Sequence, residues 1–547
     1  MTEERAKPGT ASVGRASALL ASGTFVSRAL GFVSAAALAW AIGQQNQGAN
    51  AFAIANQLPN NIYAIVAGGL LSAVLVPQIV RAAHHEDGGQ KFVNRLVTLG
   101  IAIFLGVTLL ATLCAPLLVP LYAVEGRALS GEGIALAVSF AYWCLPQIFF
   151  YALYSLFGEI LNARGVFGPF TWAPVINNVV VIASLVFFVT LFQADPANQD
   201  PALWTPEKIA LLAGGATLGV AAQALVLLFF WRRTGLGFRP DFRWKGVGLG
   251  ATGRAATWTF GMILVTQLAG IVQSQIATLA GPNDPSVAVL RTTWLIFMLP
   301  HSIVAVSIAT PYFTRMSGHA RDGDLGSLRA DISSSLRTVG LLMVGAAAAL
   351  IAAAVPFAAF FAHTQQELVG ISTVLLAYLI GLVPFSLLFL VQRGFYALGD
   401  TRTPFFLQLV QSILFVIGAL SAAFLPQPLI AVGIAAATSI AGTVQAIAAM
   451  LVLRRRLGGI DGRRVLRRYA VYFLAALPAL AVGVGVLFLL GGLGGDGFAL
   501  SGPAANLLSV ATIGTASLIV YLGVLMLFRL PELKELAAPI ARVARRR

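Results

Sequence analysis

Long apolar stretches constrain this chain more than any other feature of its sequence. About fourteen of them, each long enough for one bilayer crossing, are separated by short loops. Hydrophobic residues make up 58% of the chain and charged residues 10%, against roughly 25% charged in a soluble domain. The fold class predicted is therefore an all-α integral membrane protein with about fourteen transmembrane helices.

The basic residues indicate how the chain crosses the membrane. The formal net charge is +15, and the lysines and arginines fall in alternate loops, such as 232–254 and 454–468. The loops on the opposite side hold only Arg127 and Lys208. This positive-inside pattern predicts an even number of crossings with both termini in the cytoplasm. It assigns the excess charge to topology and to contact with anionic membrane lipids, and it excludes nucleic acid as the partner.

The longest cytoplasmic connection divides six spans from eight, and the second part echoes the first. LPNNIYAIV with Pro59 is matched by LPHSIVAVS with Pro300, and the fourth and tenth spans carry early prolines, Pro146 and Pro384. Two pseudo-symmetric six-helix lobes with two appended helices explain this echo; the alternative is that membrane helices share prolines by composition. The predicted segments are a cytoplasmic tail (1–16), a first lobe (17–231), a linker (232–254), a second lobe (255–453), two final helices (470–529) and a basic cytoplasmic tail (530–547).

Polar residues inside the first two spans are the first candidates for a functional site. Arg28 interrupts an apolar run, where a charge is costly unless it faces water or a partner. On the next span Pro59 removes a backbone donor, and the amides of Gln57, Asn60 and Asn61 surround it. This cluster predicts irregular backbone that lines a translocation path.

Several sequence pieces together resemble the MurJ/MviN family of lipid II flippases, within the multidrug/oligosaccharidyl-lipid/polysaccharide exporter superfamily. The pieces occur in the family's order and spacing, and the hydropathy agrees over nearly the whole length. They are SRALGF from Ser27, NAFAIANQLPN from Asn50, VP at Val76, GEILNARGVFGPFTWAPVINN from Gly158 and GFYALGDTRTP from Gly394.

The resemblance implies an inner-membrane flippase of bacterial cell-wall synthesis. Its cargo would be lipid II, the undecaprenyl-linked peptidoglycan precursor, moved from the cytoplasmic to the outer leaflet by alternating access. The headgroup would cross a cationic central cavity while the polyprenyl tail lies beside the last two helices. Cell-wall synthesis proteins would be further partners.

The sequence departs from the family pattern where charge is concentrated. Ser34 and Ala35 stand in place of an arginine and an acid, and Trp294 and Leu295 in place of another such pair. Arg291 lies one helical turn before Leu295, so it is a candidate for the second lobe's cation. The alternative is an interfacial arginine that extends to the outer surface.

Recognition of a diphosphate-linked sugar-peptide explains which residue types are candidates for binding. Arginine donates two hydrogen bonds to an oxyanion, and amides bond sugar hydroxyls. For each amide the alternative is an interhelical hydrogen bond. The candidate binding residues are Arg28, Gln57, Asn60, Asn61, Asn177, Asn178, Gln273 and Arg291.

No enzyme motif appears in the sequence, so neither catalytic residues nor a metal or cofactor is predicted. Glu159 is the one convincing intramembrane carboxylate, which leaves coupling to the membrane potential or to a monovalent ion open. Pro59 and Pro300 are predicted to have structural or gating roles. In the GDTRTP turn, Asp400 is expected to cap and Pro404 to open the next helix.

Two other functions remain open at this point. The lost family charges suit a chain that no longer transports and acts as a membrane scaffold or regulator of cell-wall assembly. A second alternative keeps transport but changes the cargo to another polyprenyl-linked glycan, because any lipid diphosphate requires the same cations.

Overall fold

The computed structural model describes residues 10–70, 87, 89–166, 168–194, 198–243, 253–492 and 497–533, and every regular element in these ranges is helical. The chain forms two compact units, Met1–Thr278 and Leu279–Arg547. Some sequence-based expectations lie outside the described residues: those on positions 1–9 of the cytoplasmic tail, on Val76, on part of the 232–254 linker and on the tail from residue 534.

The first unit contains nine α-helices in its described part. They are α1 (Thr10–Ile42), α2 (Gln47–Leu70), α3 (Gln90–Leu113), α4 (Ala115–Tyr122), α5 (Gly131–Cys144), α6 (Gln147–Ala163), α7 (Gly168–Phe192), α8 (Pro206–Phe229) and α9 (Gly253–Ala277).

The second unit contains ten α-helices and one π-helical turn among the residues described. They are α10 (Val287–Pro300), the π turn (His301–Ala305), α11 (Val306–Arg321), α12 (Leu325–Ala352), α13 (Ala354–Ala358), α14 (Gln365–Leu379), α15 (Leu382–Ala397), α16 (Arg402–Ala422), α17 (Ile430–Leu457), α18 (Gly462–Leu489) and α19 (Pro503–Leu527).

Length and apolarity identify twelve membrane-spanning candidates among the described helices, or thirteen when the bent pair α14–α15 is one span. The 24-residue α2 is also long enough to cross but carries more polar side chains. Counting it gives the fourteen crossings expected from the sequence. Large apolar side chains are exposed on these helices, as expected where lipid surrounds them: Leu113, Phe229 and Phe424 are 78%, 84% and 91% exposed.

Helix packing repeats between the two units, as the sequence echo predicts. In the first unit α7 packs on α8, α6 on α8 and α3 on α6; in the second, α16 packs on α17, α15 on α17 and α12 on α15. The early prolines also have matching positions. Pro146 lies in the break between α5 and α6, and Pro384 lies just after the 42° bend between α14 and α15.

The position of α9 differs from the sequence-based boundary. The linker 232–254 was expected to end the first lobe, yet α9 packs on α2 and belongs to the first compact unit. The physical reason is a polar contact: Gln267 on α9 donates from Nε2 to the Asn61 carbonyl of α2 at 2.9 Å. The compact unit therefore ends after α9 rather than before it.

Proline positions have unequal effects on the backbone. The prediction of irregular backbone around Pro59 is wrong, because α2 runs as one α-helix from Gln47 to Leu70 with Pro59 inside it. The helix tolerates the lost donor as membrane helices commonly do. At Pro300, by contrast, α10 ends and a π-helical turn follows, so the second-unit counterpart does carry irregular backbone.

The described start of the linker lies along α3. We name residues 236–243 the strap. Every second backbone N–H group of the strap donates to a side chain of α3, and these side chains are spaced one helical turn apart. The bonds satisfy backbone donors that an extended segment outside a sheet would otherwise leave without a protein partner. The contacts are Gly237 N to Gln90 Oε1 (2.9 Å), Arg239 N to Asn94 Oδ1 (3.2 Å) and Asp241 N to Thr98 Oγ1 (3.0 Å).

Candidate functional site

Arg28 lies on the exposed side of α1, in the apolar window Ser22–Ile42. It forms no hydrogen bond or ion pair with any residue that the structure describes. A guanidinium in that setting is available to an anionic ligand. The backbone beside it is fixed, because Asn178 on α7 donates from Nδ2 to the Ser27 carbonyl at 2.9 Å.

The amides of α2 differ in exposure. Asn61 is 5% exposed, and its backbone carbonyl accepts the bond from Gln267. Asn60 is exposed and Gln57 half-buried, and neither bonds to another residue within the described ranges. Asn60 and Gln57 therefore keep free amides one turn apart on a single helix face.

The remaining candidate amides of the first unit also differ in whether they bond to another residue. Asn178 makes an interhelical bond, as the alternative interpretation expected. Asn177 packs in the interface of α7 with α8, where a Cβ on Gly219 would overlap its Oδ1. Gln273 on α9 is half-buried and bonds to no residue among those described.

One polar residue of the first unit escaped the sequence analysis. Gln147 is 1% exposed and joins three helices: its Nε2 donates to Asn56 Oδ1 on α2 and to Thr217 Oγ1 on α8, both at 3.1 Å. Tyr151 donates to its Oε1 at 3.4 Å. Gln147 directly follows Pro146 in an otherwise apolar run, and this position could have marked it as a polar candidate in the sequence. The bonds fix the register of α2, which carries Gln57 and Asn60.

The second-unit candidates are spread along one broken helix. Arg291 is exposed in the first turns of α10, and Pro300 ends that helix. Trp294, which the resemblance sets against a charged pair of the family, belongs to an aromatic cluster. Its ring centroid lies 4.8 Å from that of Phe297, 5.5 Å from that of Tyr378 and 5.7 Å from that of Phe385. The Trp294 side chain thus fills apolar space between aromatic rings.

The GDTRTP turn is structural, as its sequence suggested. Asp400 Oδ1 accepts from the backbone N–H groups of Arg402 and Thr403, each at 3.0 Å, and Oδ2 pairs with Arg456. Burial raises the pKa of the Asp400 carboxyl, but the bonds from Thr403 and Arg456 outweigh it and lower this pKa. Pro404 is buried in the first turn of α16, where a missing N–H costs little.

A buried ion cluster in the second unit was also missed. We name Arg337, Arg468 and Glu532 the Glu532 clasp. Glu532 Oε1 accepts from Arg337 Nε at 2.8 Å and lies 3.4 Å from Arg468 Nε, with the glutamate side chain 2% exposed. In the sequence Arg468 is one of the basic residues of the loop 454–468, and nothing there links it to Arg337 or Glu532, because only folding brings the three together. No three His, Cys, Asp or Glu side chains within the described ranges are arranged to hold a metal ion.

Solved structures share this fold. The chain is similar to one titled "Lipid II flippase MurJ, inward closed conformation", with a TM-score of 0.71, 22% identity, and coverage of 93% of this chain and 98% of that one. It is also similar to an inward-facing multidrug resistance MATE family transporter of the MOP superfamily, with a TM-score of 0.60, 16% identity, and coverage of 80% and 96%. At these identities the likeness concerns the fold alone.

Curated relatives agree in sequence over most of their length. A probable lipid II flippase MurJ from Vibrio cholerae is 28% identical over 93% of this chain and 95% of its own. One from Haemophilus influenzae is 26% identical over 85% and 90%. The sequence model described as "Lipid II flippase MurJ" matches residues 38–493. Because that match spans most of the chain, the protein belongs to the MurJ family.

Proposed function

We propose that this protein flips lipid II from the cytoplasmic to the outer leaflet by alternating access during cell-wall synthesis. The observation that carries the proposal is Arg28, an unpaired cation among the described residues within an apolar span. A diphosphate is the anion that such a guanidinium binds well, because its planar fork donates two parallel hydrogen bonds. Family membership supports the choice of cargo.

The free amides near α2 complete the proposed binding surface. Gln57, Asn60 and Gln273 have donors and acceptors for sugar hydroxyls, whereas Asn61 and Asn178 hold the helices that carry them. In this proposal Gln147 acts as a positioning residue, because it fixes α2 without being exposed itself. Arg291 is the candidate cation of the second unit.

The proposed setting is the bacterial cytoplasmic membrane with both termini in the cytoplasm. Basic loops would then face the anionic inner leaflet, and Arg463, Arg464 and Arg467, all exposed at the start of α18, would contact lipid phosphates. The polyprenyl tail would lie beside α18 and α19. Outward movement of an anionic headgroup would be driven by the membrane potential or by a coupled monovalent ion.

The test is complementation of a cell depleted of this protein. The rescue uses the wild type, Arg28→Ala, and Arg127→Ala, a matched control that removes an exposed loop arginine. The measurement is the accessibility of lipid II in the outer leaflet. We expect wild type and Arg127→Ala to restore accessibility and Arg28→Ala to lose at least about tenfold, a loss on the scale of one charge-assisted contact.

Each other outcome contradicts part of the proposal. Full rescue by Arg28→Ala excludes Arg28 from the path and favours a non-transporting scaffold. Unchanged lipid II on depletion, together with loss of another outer-leaflet polyprenyl glycan, assigns a different cargo.

A further inference from the structure

The Arg393 guanidinium lies against two aromatic rings near the end of α15. Its Cζ is 4.7 Å from the centroid of the Phe389 ring, on the same helix, and 5.2 Å from that of the Phe313 ring on α11. The Arg393 side chain is half-buried. Because a cation is attracted to the faces of phenyl rings, these contacts hold the guanidinium in one place where α11 and α15 pack together.

The N–H donors of this guanidinium have no oxygen acceptor within the described ranges. Arg393 forms neither a hydrogen bond nor an ion pair with any residue there, and its ring contacts balance the charge without accepting from the donors as an oxygen does. Arginines on the neighbouring helices are paired instead: Arg315 on α11 with Asp331, and Arg337 on α12 with Glu532. A planar fork of donors that is held in place without an acceptor is suited to bind an oxyanion.

A second donor lies on the same face of α15. Tyr396 follows Arg393 by three residues, so the two side chains are neighbours on the helix surface. Tyr396 is also half-buried, and its hydroxyl bonds to no residue in the part of the chain that the structure describes. The guanidinium and the hydroxyl together donate to more oxygens than the guanidinium fork alone, which favours a diphosphate over a monophosphate as the ligand.

We propose that Arg393 and Tyr396 form an oxyanion site that binds the diphosphate of the cargo before it crosses the membrane. Phe313 is near the end of α11, whose following loop faces the cytoplasm in the proposed topology. Arg291, the candidate cation of the second unit, is on the same span as Phe313 and 22 residues before it, or about 33 Å of helix. The second unit then has one cation where the headgroup enters and another where it leaves.

This inference rests on the proposed function for the identity of the cargo. The phosphate of an anionic membrane lipid has the same chemistry as the diphosphate of the cargo. The site is assigned to the cargo because it combines two donor groups, whereas one guanidinium is sufficient for the single phosphate of a phospholipid.

Arginine-specific modification tests the site without any transport. Phenylglyoxal reacts with accessible guanidinium groups, and mass spectrometry measures the reaction at each arginine of the full-length protein in dodecyl maltoside, a detergent without phosphate. The probes are farnesyl diphosphate, farnesyl monophosphate, farnesol and phosphatidylglycerol. We expect farnesyl diphosphate to protect Arg393 at about a tenfold lower concentration than the monophosphate, and farnesol to give no protection. Arg402 is the internal control, because it is exposed and lies over one ring, that of Phe406 at 5.6 Å; its reaction should not change.

The variant Tyr396→Phe keeps the ring and removes only the hydroxyl. It should require about tenfold more farnesyl diphosphate for half-protection of Arg393, the loss expected for one hydrogen bond to a charged group. Unchanged protection in this variant contradicts the diphosphate site. An Arg393 that does not react in the ligand-free protein, or that reacts equally with and without farnesyl diphosphate, overturns the proposal. Equal protection by phosphatidylglycerol assigns the site to membrane lipid and overturns its role for the cargo.

Transport gives the second test, using dye-labelled lipid II in proteoliposomes. We expect Arg393→Gln to raise the lipid II concentration for the half-maximal rate by about tenfold, and the matched control Arg402→Gln to leave it unchanged. Thermal unfolding checks that each variant is folded. An unchanged half-maximal concentration in Arg393→Gln refutes the role in loading. A wild type that moves no lipid II, although farnesyl diphosphate protects its Arg393, refutes the proposed function and supports the oxyanion site.

Discussion

At the scale of single residues, Asn178 shows how one amide can serve the site without binding substrate. Its bond to the Ser27 carbonyl holds α1 to α7 next to Arg28. Asn178→Ala removes that bond, and we expect a loss of about 0.5–1.5 kcal/mol of stability together with slower lipid II transport. Thermal unfolding and the proteoliposome assay measure the two effects.

The matched control is Val179→Ala, at the next position and 52% exposed. It removes apolar atoms outside the helix interface, so its effect on stability is expected to stay within about 0.5 kcal/mol. Equal effects of the two substitutions would show that the Asn178 bond does not hold α1.

The sequence predicted which polar residues lie within apolar spans, but it did not predict which of them bond to neighbouring helices. Arg28 was predictable because a charge in an apolar run is costly wherever the helix lies. Whether an amide bonds a neighbouring helix depends on distances that the chain order does not contain. Asn61 and Asn60 are adjacent in sequence, yet Asn61 is buried and its backbone carbonyl accepts a bond from Gln267, while Asn60 is exposed. Gln147 was missed for the same reason, because its partners are on other helices.

At the scale of elements, the strap depends on one carboxylate. Hydrogen bonds from Arg243 and, to a smaller extent, from Arg95 hold the pKa of Asp241 well below its usual range. Because the pKa of Asp241 is lower in the folded protein than in the unfolded chain, its carboxylate stabilises the fold in full above the unfolded-state pKa of about 4. This stabilisation is lost as the pH falls through the lower folded-state pKa. The strap is therefore expected to stay attached at pH 5–8 and to loosen only in strong acid.

Hydrogen exchange of the strap amides measures this attachment. At neutral pH Asp241→Asn should lose protection at the backbone amides of positions 239 and 241, and the difference from wild type should vanish in strong acid. Asp322→Asn, an exposed aspartate at the end of α11, is the control and should leave both amides protected. Equal protection in Asp241→Asn and wild type at neutral pH would contradict the role of the carboxylate.

The helix breaks show what a proline pattern predicts. Pro146 and Pro384 both lie at breaks, whereas Pro59 lies inside a continuous helix. A proline removes one donor and strains one turn, and the neighbouring helices decide whether the turn opens. In α2 the side-chain bond at Asn56 and the carbonyl bond at Asn61 hold the helix on both sides of Pro59. A gating role for Pro59 remains a prediction.

At the scale of the whole molecule, the repeated helix packing followed from the sequence echo, but the place of α9 did not. Little of its apolar window is buried, 17%, so apolarity does not decide which unit it joins. The bonds from Gln267 and Gln275 to α2 and to the end of α4 decide it. Such contacts link residues more than 150 positions apart, a separation at which periodicity carries no information.

The Glu532 clasp ties the chain's last helices to the rest of the second unit. Arg337 is on α12, Arg468 is on α18 and Glu532 follows α19, so one carboxylate joins three parts of the chain. Glu532→Gln leaves two arginines around a neutral group, and an uncompensated buried charge costs about 3–5 kcal/mol. We expect a large drop in the thermal unfolding temperature and greater protease sensitivity of α18 and α19.

Two control variants separate charge from packing. Arg467→Gln removes an exposed arginine next to the clasp and should leave the unfolding temperature nearly unchanged. The double variant Arg337→Met, Glu532→Leu replaces the buried pair with apolar side chains, which is often neutral in other proteins. It should regain most of the stability that Glu532→Gln loses, because no unpaired buried charge then remains at Arg337. If the double variant is as unstable as Glu532→Gln, the clasp stabilises the helices through its specific geometry rather than by neutralising charge.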